Sequence, residues 1–167
     1  IVPLLLIRFV HRRRIRDHGW SFEGFSRHIR IYLGLFALMV PVLWWVSTQQ
    51  EFLDRYPFLR AARTDSGLFL LWEPLYQLQF FALEAFFRGY LLFTLERPFG
   101  WNACFIMAVP YCAIHWHKAP LECFAAIFGG VLLGGLALRF RSWYGGAVLH
   151  SLVGLSMDGL AHMRAVS

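Results

Sequence analysis

The chain has 167 residues, of which 58% are hydrophobic and only 16% are charged, and its formal net charge is +6. Typical water-soluble domains contain about 45–50% apolar and about 25% charged residues. A soluble fold of this length has too little interior to bury so much apolar surface, so the composition excludes that class and predicts that lipid covers part of the protein.

The positive charge is concentrated near the beginning of the chain. Seven arginines fall within the first thirty residues, between apolar segments: Arg8, Arg12, Arg13, Arg14, Arg16, Arg27 and Arg30. Under the positive-inside rule this distribution indicates a cytoplasmic loop of a membrane protein. No groove-reading motif or base-stacking platform accompanies the arginines, so the expected partner is the lipid bilayer and not nucleic acid.

The apolar segments predict an all-α fold, a polytopic membrane helix bundle of about five to six transmembrane helices. Residues 1–30 are expected to hold the tail of a truncated helix (1–10) and a basic cytoplasmic segment, and residues 31–167 the membrane helix bundle. Within the bundle, spans are expected at residues 31–48, 68–95, 101–115, 121–138 and 143–161. Pro74 is expected in the first turn of its helix, and residues 96–100 are expected to form a turn.

Small residues indicate packing without chemistry. The pairs Gly129-Gly130 and Gly134-Gly135 lie about one helical turn apart, which lets two helix backbones approach closely in a bundle or a dimer. The three cysteines show no metal-ligand pattern and are interpreted as small packing residues: Cys104, Cys112 and Cys123.

Ionisable residues in the predicted spans are the candidates for function, because each costs roughly 2.5–3.5 kcal/mol to place in a membrane interior. The candidates are Glu73, Glu84, Arg88, His115, His150 and Asp158. Glu84 and Arg88 are four residues apart on one helical face and are expected to form an ion pair. A buried salt bridge that only fixes helix packing is the alternative. His117 and His162 are expected at the membrane interface.

Three of these residues, Glu84, His115 and His150, are predicted to lie at similar depths in the membrane. At a rise of about 1.5 Å per residue, Glu84 lies about 18 Å from the predicted cytoplasmic turn at Glu96. On the same scale His115 lies about 21 Å from Trp101, and His150 lies about 11 Å from Trp143. A carboxylate and two imidazoles at similar depth can activate water without a metal, or they can bind zinc. Because the sequence has no His-Glu-x-x-His pattern, no cofactor is expected, and zinc is kept as the alternative.

Three segments resemble motifs of the CPBP family, the CAAX protease and bacteriocin-processing membrane endopeptidases. Residues 83–92 (LEAFFRGYLL) resemble the motif Glu-Glu-x-x-x-Arg, and residues 111–115 (YCAIH) resemble Phe-x-x-x-His. The glycine-rich stretch before Arg141 and the following helix with His150 resemble the last motif region. The resemblance covers about residues 68–160. It differs at Leu83, where the family has the first glutamate, and at Gly154, where it usually has asparagine or aspartate.

The resemblance implies an intramembrane endopeptidase that hydrolyses a membrane-associated peptide or protein. In this hypothesis Glu84 activates water, His115 and His150 orient the water or stabilise the oxyanion, and Arg88 holds Glu84. Asp158 is a candidate for the polar group missing at Gly154. The expected location is the bacterial inner membrane, as a multi-pass protein.

Two other functions are compatible with the sequence. Leu83 and Gly154 favour a non-catalytic membrane scaffold with the protease fold, such as a self-immunity protein. Intramembrane glutamate and histidine residues also occur in transporters and proton relays, although the chain shows no inverted internal repeat. The oligomeric state is not predicted.

Overall fold

The computed structural model of the protein describes residues 1–116, 118 and 120–166. Over these residues the chain is helical and contains no β-strand, which confirms the predicted all-α class. The α-helices are, in order, α1 (Val2–Leu5), α2 (Phe25–Val46), α3 (Gln50–Leu53), α4 (Ser66–Glu84), α5 (Leu92–Phe99), α6 (Ala103–Ala113), α7 (Pro120–Phe140) and α8 (Tyr144–Val166). A π-helical segment, Ala85–Leu91, joins α4 to α5.

Three helical stretches among the described residues are long and apolar enough to cross a membrane. They are Phe25–Val46, Ser66–Ala113 and Pro120–Phe140. The second stretch has 48 residues, contains the predicted span 68–95 and covers most of the predicted span 101–115. Helix α8 has 23 residues and lies where the last span was predicted, but it is not among these three stretches.

Prolines lie inside helices at two places where the sequence predicted helix boundaries. Pro74 was expected to begin its helix, but α4 begins at Ser66. Residues 96–100 were expected to form a turn, but α5 includes Pro98 and continues to Phe99. Membrane helices tolerate proline because neighbouring groups satisfy the freed backbone carbonyl. The α-helix ends before Gly100, whose φ of +55° suits glycine, and a short 3-10 turn (Gly100–Asn102) follows.

The chain divides into two compact units. The first comprises Ile1–His28 and Ala82–Ala147, and the second comprises Ile29–Phe81 and Val148–Ser167. Large apolar side chains from the π-helical segment and from α5, α6 and α7 form the buried cluster of the first unit, including Phe87, Leu92, Phe93, Met107, Tyr111 and Leu138. In the second unit, Phe52 and Tyr56 pack with Ala161 of α8.

Glycines of α7 bring this helix close to α6 within the first unit. A Cβ atom on Gly130 would lie 3.1 Å from Cδ1 of Tyr111, and one on Gly134 would lie 3.0 Å from Cε of Met107. A Cβ atom on the adjacent Gly129 would meet nothing within 4 Å. Gly130 and Gly134 therefore form the bundle contact expected of the small-residue pairs, and Gly129 does not take part in it.

This difference predicts opposite sensitivity for neighbouring glycines. Replacing Gly130 by leucine is expected to destabilise the protein by about 1–3 kcal/mol, because the added atoms overlap the buried ring of Tyr111. The matched change Gly129→Leu points into open space and is expected to leave stability unchanged. Thermal unfolding of both variants in detergent measures the effect. Equal melting temperatures would show that α6 and α7 do not pack as described.

Candidate active site

The candidate site is built where α4 passes into the π-helical segment. Glu84 is the last residue of α4, and Arg88 lies in the middle of Ala85–Leu91. A π-helical turn closes i→i+5 hydrogen bonds in place of i→i+4, and such turns inside helices occur frequently at functional sites. The segment that resembles the Glu-Glu-x-x-x-Arg motif thus coincides with an irregularity in the helix.

Glu84 and Arg88 form the predicted ion pair. Nη1 of Arg88 donates a hydrogen bond of 2.7 Å to Oε1 of Glu84, and both side chains have 0% solvent exposure. The short distance is typical of a charge-assisted hydrogen bond. In a buried pair the opposite charges of Glu84 and Arg88 compensate each other. Either charge buried alone would carry a large desolvation cost.

The guanidinium of Arg88 also lies over an aromatic ring. Its Cζ atom is 3.8 Å from the ring centroid of Tyr111, a cation–π contact. Nε and Nη2 of Arg88 make no hydrogen bond to any residue that the structure describes. The contact with Tyr111 therefore fixes the plane of the guanidinium.

A glycine at the start of α8 makes room for the carboxylate. A Cβ atom on Gly146 would lie 3.1 Å from Oε2 of Glu84. Any larger residue at this position would press on the carboxylate, so glycine is what allows the backbone to approach it. The sequence interpretation missed this residue. The pair Gly145-Gly146 in the first turn of the histidine-bearing helix was the available signal.

His115 follows α6 and contacts Tyr111 from the same unit. Its Nδ1 lies 2.9 Å from the backbone carbonyl oxygen of Tyr111, and the two rings are 4.8 Å apart. A carbonyl oxygen only accepts, so Nδ1 must carry the hydrogen, and the lone pair of the neutral ring is then on Nε2. The His115 carbonyl oxygen accepts a hydrogen bond from Sγ of Cys123 at 2.6 Å. His115 is thus held in one orientation at 7% exposure.

The first unit therefore brings together three predicted residues: Glu84 and Arg88 directly, and His115 through Tyr111. His150 belongs to the second unit, where its ring lies 4.6 Å from the ring of Phe80. The predicted convergence of His150 with the other three residues stays a prediction.

The remaining ionisable candidates have structural surroundings within the second unit. Glu73 is buried and accepts a hydrogen bond of 2.9 Å from Nε2 of Gln77. The carboxylate of Asp158 is fully buried and accepts the backbone N–H of Phe58 at 3.1 Å. This hydrogen bond holds the loop after α3, which argues against Asp158 as a substitute for the polar group missing at Gly154.

The two predicted interfacial histidines have different outcomes. His162 is buried, and its Nδ1 lies 3.0 Å from the carbonyl oxygens of Ala62 and Arg63. It therefore anchors the loop before α4 to α8. His117 lies outside the described residues.

Apolar side chains occupy the space at both positions at which the sequence differs from the family motif, Leu83 and Gly154. Leu83 packs against the buried cluster of the first unit. A Cβ atom on Gly154 would lie 2.4 Å from Cε2 and Cζ of Phe80, so the ring of Phe80 occupies the space of a side chain there. These positions provide packing in this chain, where the family motif has polar groups.

Metal binding was kept as an alternative for the glutamate and histidines. Within each unit, the described residues include no group of three or more histidine, cysteine, aspartate or glutamate side chains that could hold a metal ion. A zinc site built from Glu84, His115 and His150 would need residues of both units, so it stays a question for metal analysis.

Comparison with protein families identifies the chain. The family model described as type II CAAX prenyl endopeptidase Rce1-like matches residues 65–156, which is more than half of the chain and includes Glu84, Arg88, His115 and His150. Searches of curated proteins and of solved structures each gave no match. The chain is therefore a membrane protein of the type II CAAX prenyl endopeptidase Rce1-like family and has the CAAX-type intramembrane protease fold.

Proposed function

We propose that the protein is an intramembrane endopeptidase that uses Glu84 to activate water. The observation that carries the proposal is the fully buried Glu84–Arg88 pair, seated on Tyr111 inside the family match. An ionisable side chain in a membrane interior costs free energy, so those that are present usually serve a function. We further propose a multi-pass protein of the bacterial inner membrane, whose partners are the lipid bilayer and a membrane-associated peptide or protein substrate.

In the proposed reaction three side chains act on the water and the peptide bond. Glu84 accepts a proton from water while the water oxygen attacks the carbonyl carbon of the scissile peptide bond. The lone pair on Nε2 of His115 accepts a hydrogen bond from the water and orients it. The carbonyl oxygen becomes an oxyanion, which His150 stabilises as a hydrogen-bond donor. The C–N bond then breaks, and the proton held by Glu84 passes to the leaving amine.

Arg88 has a positioning role in this proposal. Its Nη1 binds Oε1 of Glu84 and thereby orients the carboxylate. No metal takes part in the proposed reaction, because a carboxylate and two imidazoles suffice to activate and orient water.

A second candidate function is a non-catalytic scaffold with the protease fold, such as a self-immunity protein. It is favoured by the apolar packing of Leu83 and by the ring of Phe80 in the space beside Gly154. In this alternative the Glu84–Arg88 pair serves helix packing alone.

Peptidase activity of the purified protein tests the proposal. The wild type is expected to cleave members of a membrane-peptide library, and Glu84→Gln is expected to lower kcat by at least about 100-fold, the usual contribution of a general base. Glu73→Gln is the matched control, since it changes another buried carboxylate that lies in the second unit. Normal turnover by Glu84→Gln would refute the mechanism.

Two further measurements separate the alternatives. An inactive wild type together with an active Leu83→Glu variant would identify a protease fold that has lost its base, which favours the scaffold. Metal content is measured on the same samples. If the wild type contains stoichiometric zinc and His115→Ala does not, the histidines are metal ligands and do not merely orient water.

A further inference from the structure

A groove of about 240 Å³ opens on the second unit between α2 and α8. From α2 it is lined by Val40, Leu43 and Trp44, and from α8 mainly by Gly159, Leu160 and Met163. Almost all of these side chains are apolar, so water is a poor occupant. The dimensions and lining suit a hydrocarbon chain.

The positively charged side chain of Arg164 lies beside this groove. The guanidinium carbon of Arg164 lies 5.2 Å from the ring centroid of Trp44, which is itself part of the lining. Nε of Arg164 donates a hydrogen bond of 3.1 Å to Oγ of Ser47, and that hydroxyl donates to the Trp44 carbonyl oxygen at 2.7 Å. Arg164 is therefore held in place by the last turn of α2.

The Arg164 guanidinium keeps unused donors. Among the described residues, the bond from Nε to Ser47 is its one hydrogen bond, and the side chain is only half-buried. The two Nη groups remain as a pair of adjacent donors, the geometry that matches two oxygens of a phosphate.

The position of Arg164 along the helices agrees with a lipid headgroup. Trp44 and Trp45 lie in the last turn of α2, and Arg164 lies in the last turn of α8. Tryptophan and arginine at the ends of membrane helices mark the boundary between hydrocarbon and headgroups. The groove extends from this boundary along the apolar part of both helices, as far as Val40 and Ser156.

We propose that this groove is a binding site for a phospholipid with an anionic headgroup. One acyl chain lies between α2 and α8, and the phosphate pairs with the Nη groups of Arg164. Charge complementarity carries the assignment, because Arg164 offers a positive charge and two adjacent donors to the phosphate of an anionic lipid. The site lies wholly within the second unit and does not depend on the proposed peptidase activity.

Native mass spectrometry of the full chain in detergent tests the proposal. The protein is titrated with phosphatidylglycerol or with phosphatidylcholine of identical acyl chains. The wild type is expected to retain phosphatidylglycerol about tenfold better. Arg164→Gln is expected to lower that retention about fivefold to tenfold, which corresponds to the loss of one arginine near a membrane surface. Arg164→Lys keeps the charge without the paired donors and should fall between the two.

A second variant tests the acyl-chain half of the site. A Cβ atom on Gly159 meets nothing within 4 Å, so Gly159→Leu can fill the groove without disturbing the helices. This variant is expected to lose most of its phosphatidylglycerol. Gly129→Leu on α7 and Arg97→Gln are the matched controls, since both positions lie in the first unit. Helicity by circular dichroism confirms that each variant is folded.

Four outcomes would overturn the assignment. They are equal retention of the two lipids by the wild type, unchanged retention by Arg164→Gln, unchanged retention by Gly159→Leu, and release of the lipid by millimolar inorganic phosphate. The last result would show that the site binds a phosphate anion and does not require the acyl chain of a lipid.

Discussion

Replacing Arg88 by methionine is expected to destabilise the protein by about 3–5 kcal/mol, because it leaves the Glu84 carboxylate buried without its cation. The change also removes the cation–π contact with Tyr111. Replacing Glu84 by glutamine is expected to cost a similar amount. In that variant the unpaired charge is a guanidinium, which cannot neutralise itself by losing a proton.

The double variant Glu84→Gln/Arg88→Met is expected to recover most of the lost stability, because neither buried charge is then left alone. Unfolding in mixed micelles gives the four free energies of this double-mutant cycle. A sum of the two single costs in the double variant would contradict the buried ion pair. The double variant is also the folded control for loss of peptidase activity, because it lacks the Glu84 carboxylate without a stranded arginine.

Replacing Gly154 by alanine is expected to destabilise the protein by about 1–3 kcal/mol, although alanine favours helices more than glycine does. The added Cβ would lie 2.4 Å from two ring atoms of Phe80, and this ring is buried at 4% exposure. The ring has little room to move, so either it or the helix must shift.

Gly159→Ala is the matched control, in the same helix and with open space around the added atom. It is expected to be neutral or to stabilise by up to about 1 kcal/mol through helix propensity. Phe80→Ala should remove the penalty of Gly154→Ala, because the clashing ring is then gone. The shifts are measured as melting temperatures in detergent for the wild type, the three single variants and the double variant Phe80→Ala/Gly154→Ala. Similar shifts for Gly154→Ala and Gly159→Ala would show that Phe80 does not occupy this space.

The sequence by itself determined the class of the protein and part of its site. The apolar content predicted membrane helices because a bilayer requires long apolar segments. The four-residue spacing of Glu84 and Arg88 predicted their ion pair because these positions share a helical face. The motif around them, together with His115 and His150, indicated the family. All of these depend on composition and on short segments of the chain, which can be read without knowing how the helices pack.

Helix boundaries near proline could not be read in the same way. Pro74 and Pro98 both lie inside helices, because proline only disfavours a helix interior and does not forbid it in a membrane protein. The balance between the lost hydrogen bond and the surrounding packing is not visible in the local sequence.

Only the tertiary structure decided which groups meet across the chain. Arg88 lies on the ring of Tyr111, Gly146 allows the approach of Glu84, and Asp158 binds the backbone N–H of Phe58 across 100 residues. Phe80 and Gly154 are likewise far apart in sequence and touch in the second unit. Such contacts depend on how helices pack, and packing is set by the shapes of many side chains together and not by spacing along one helix.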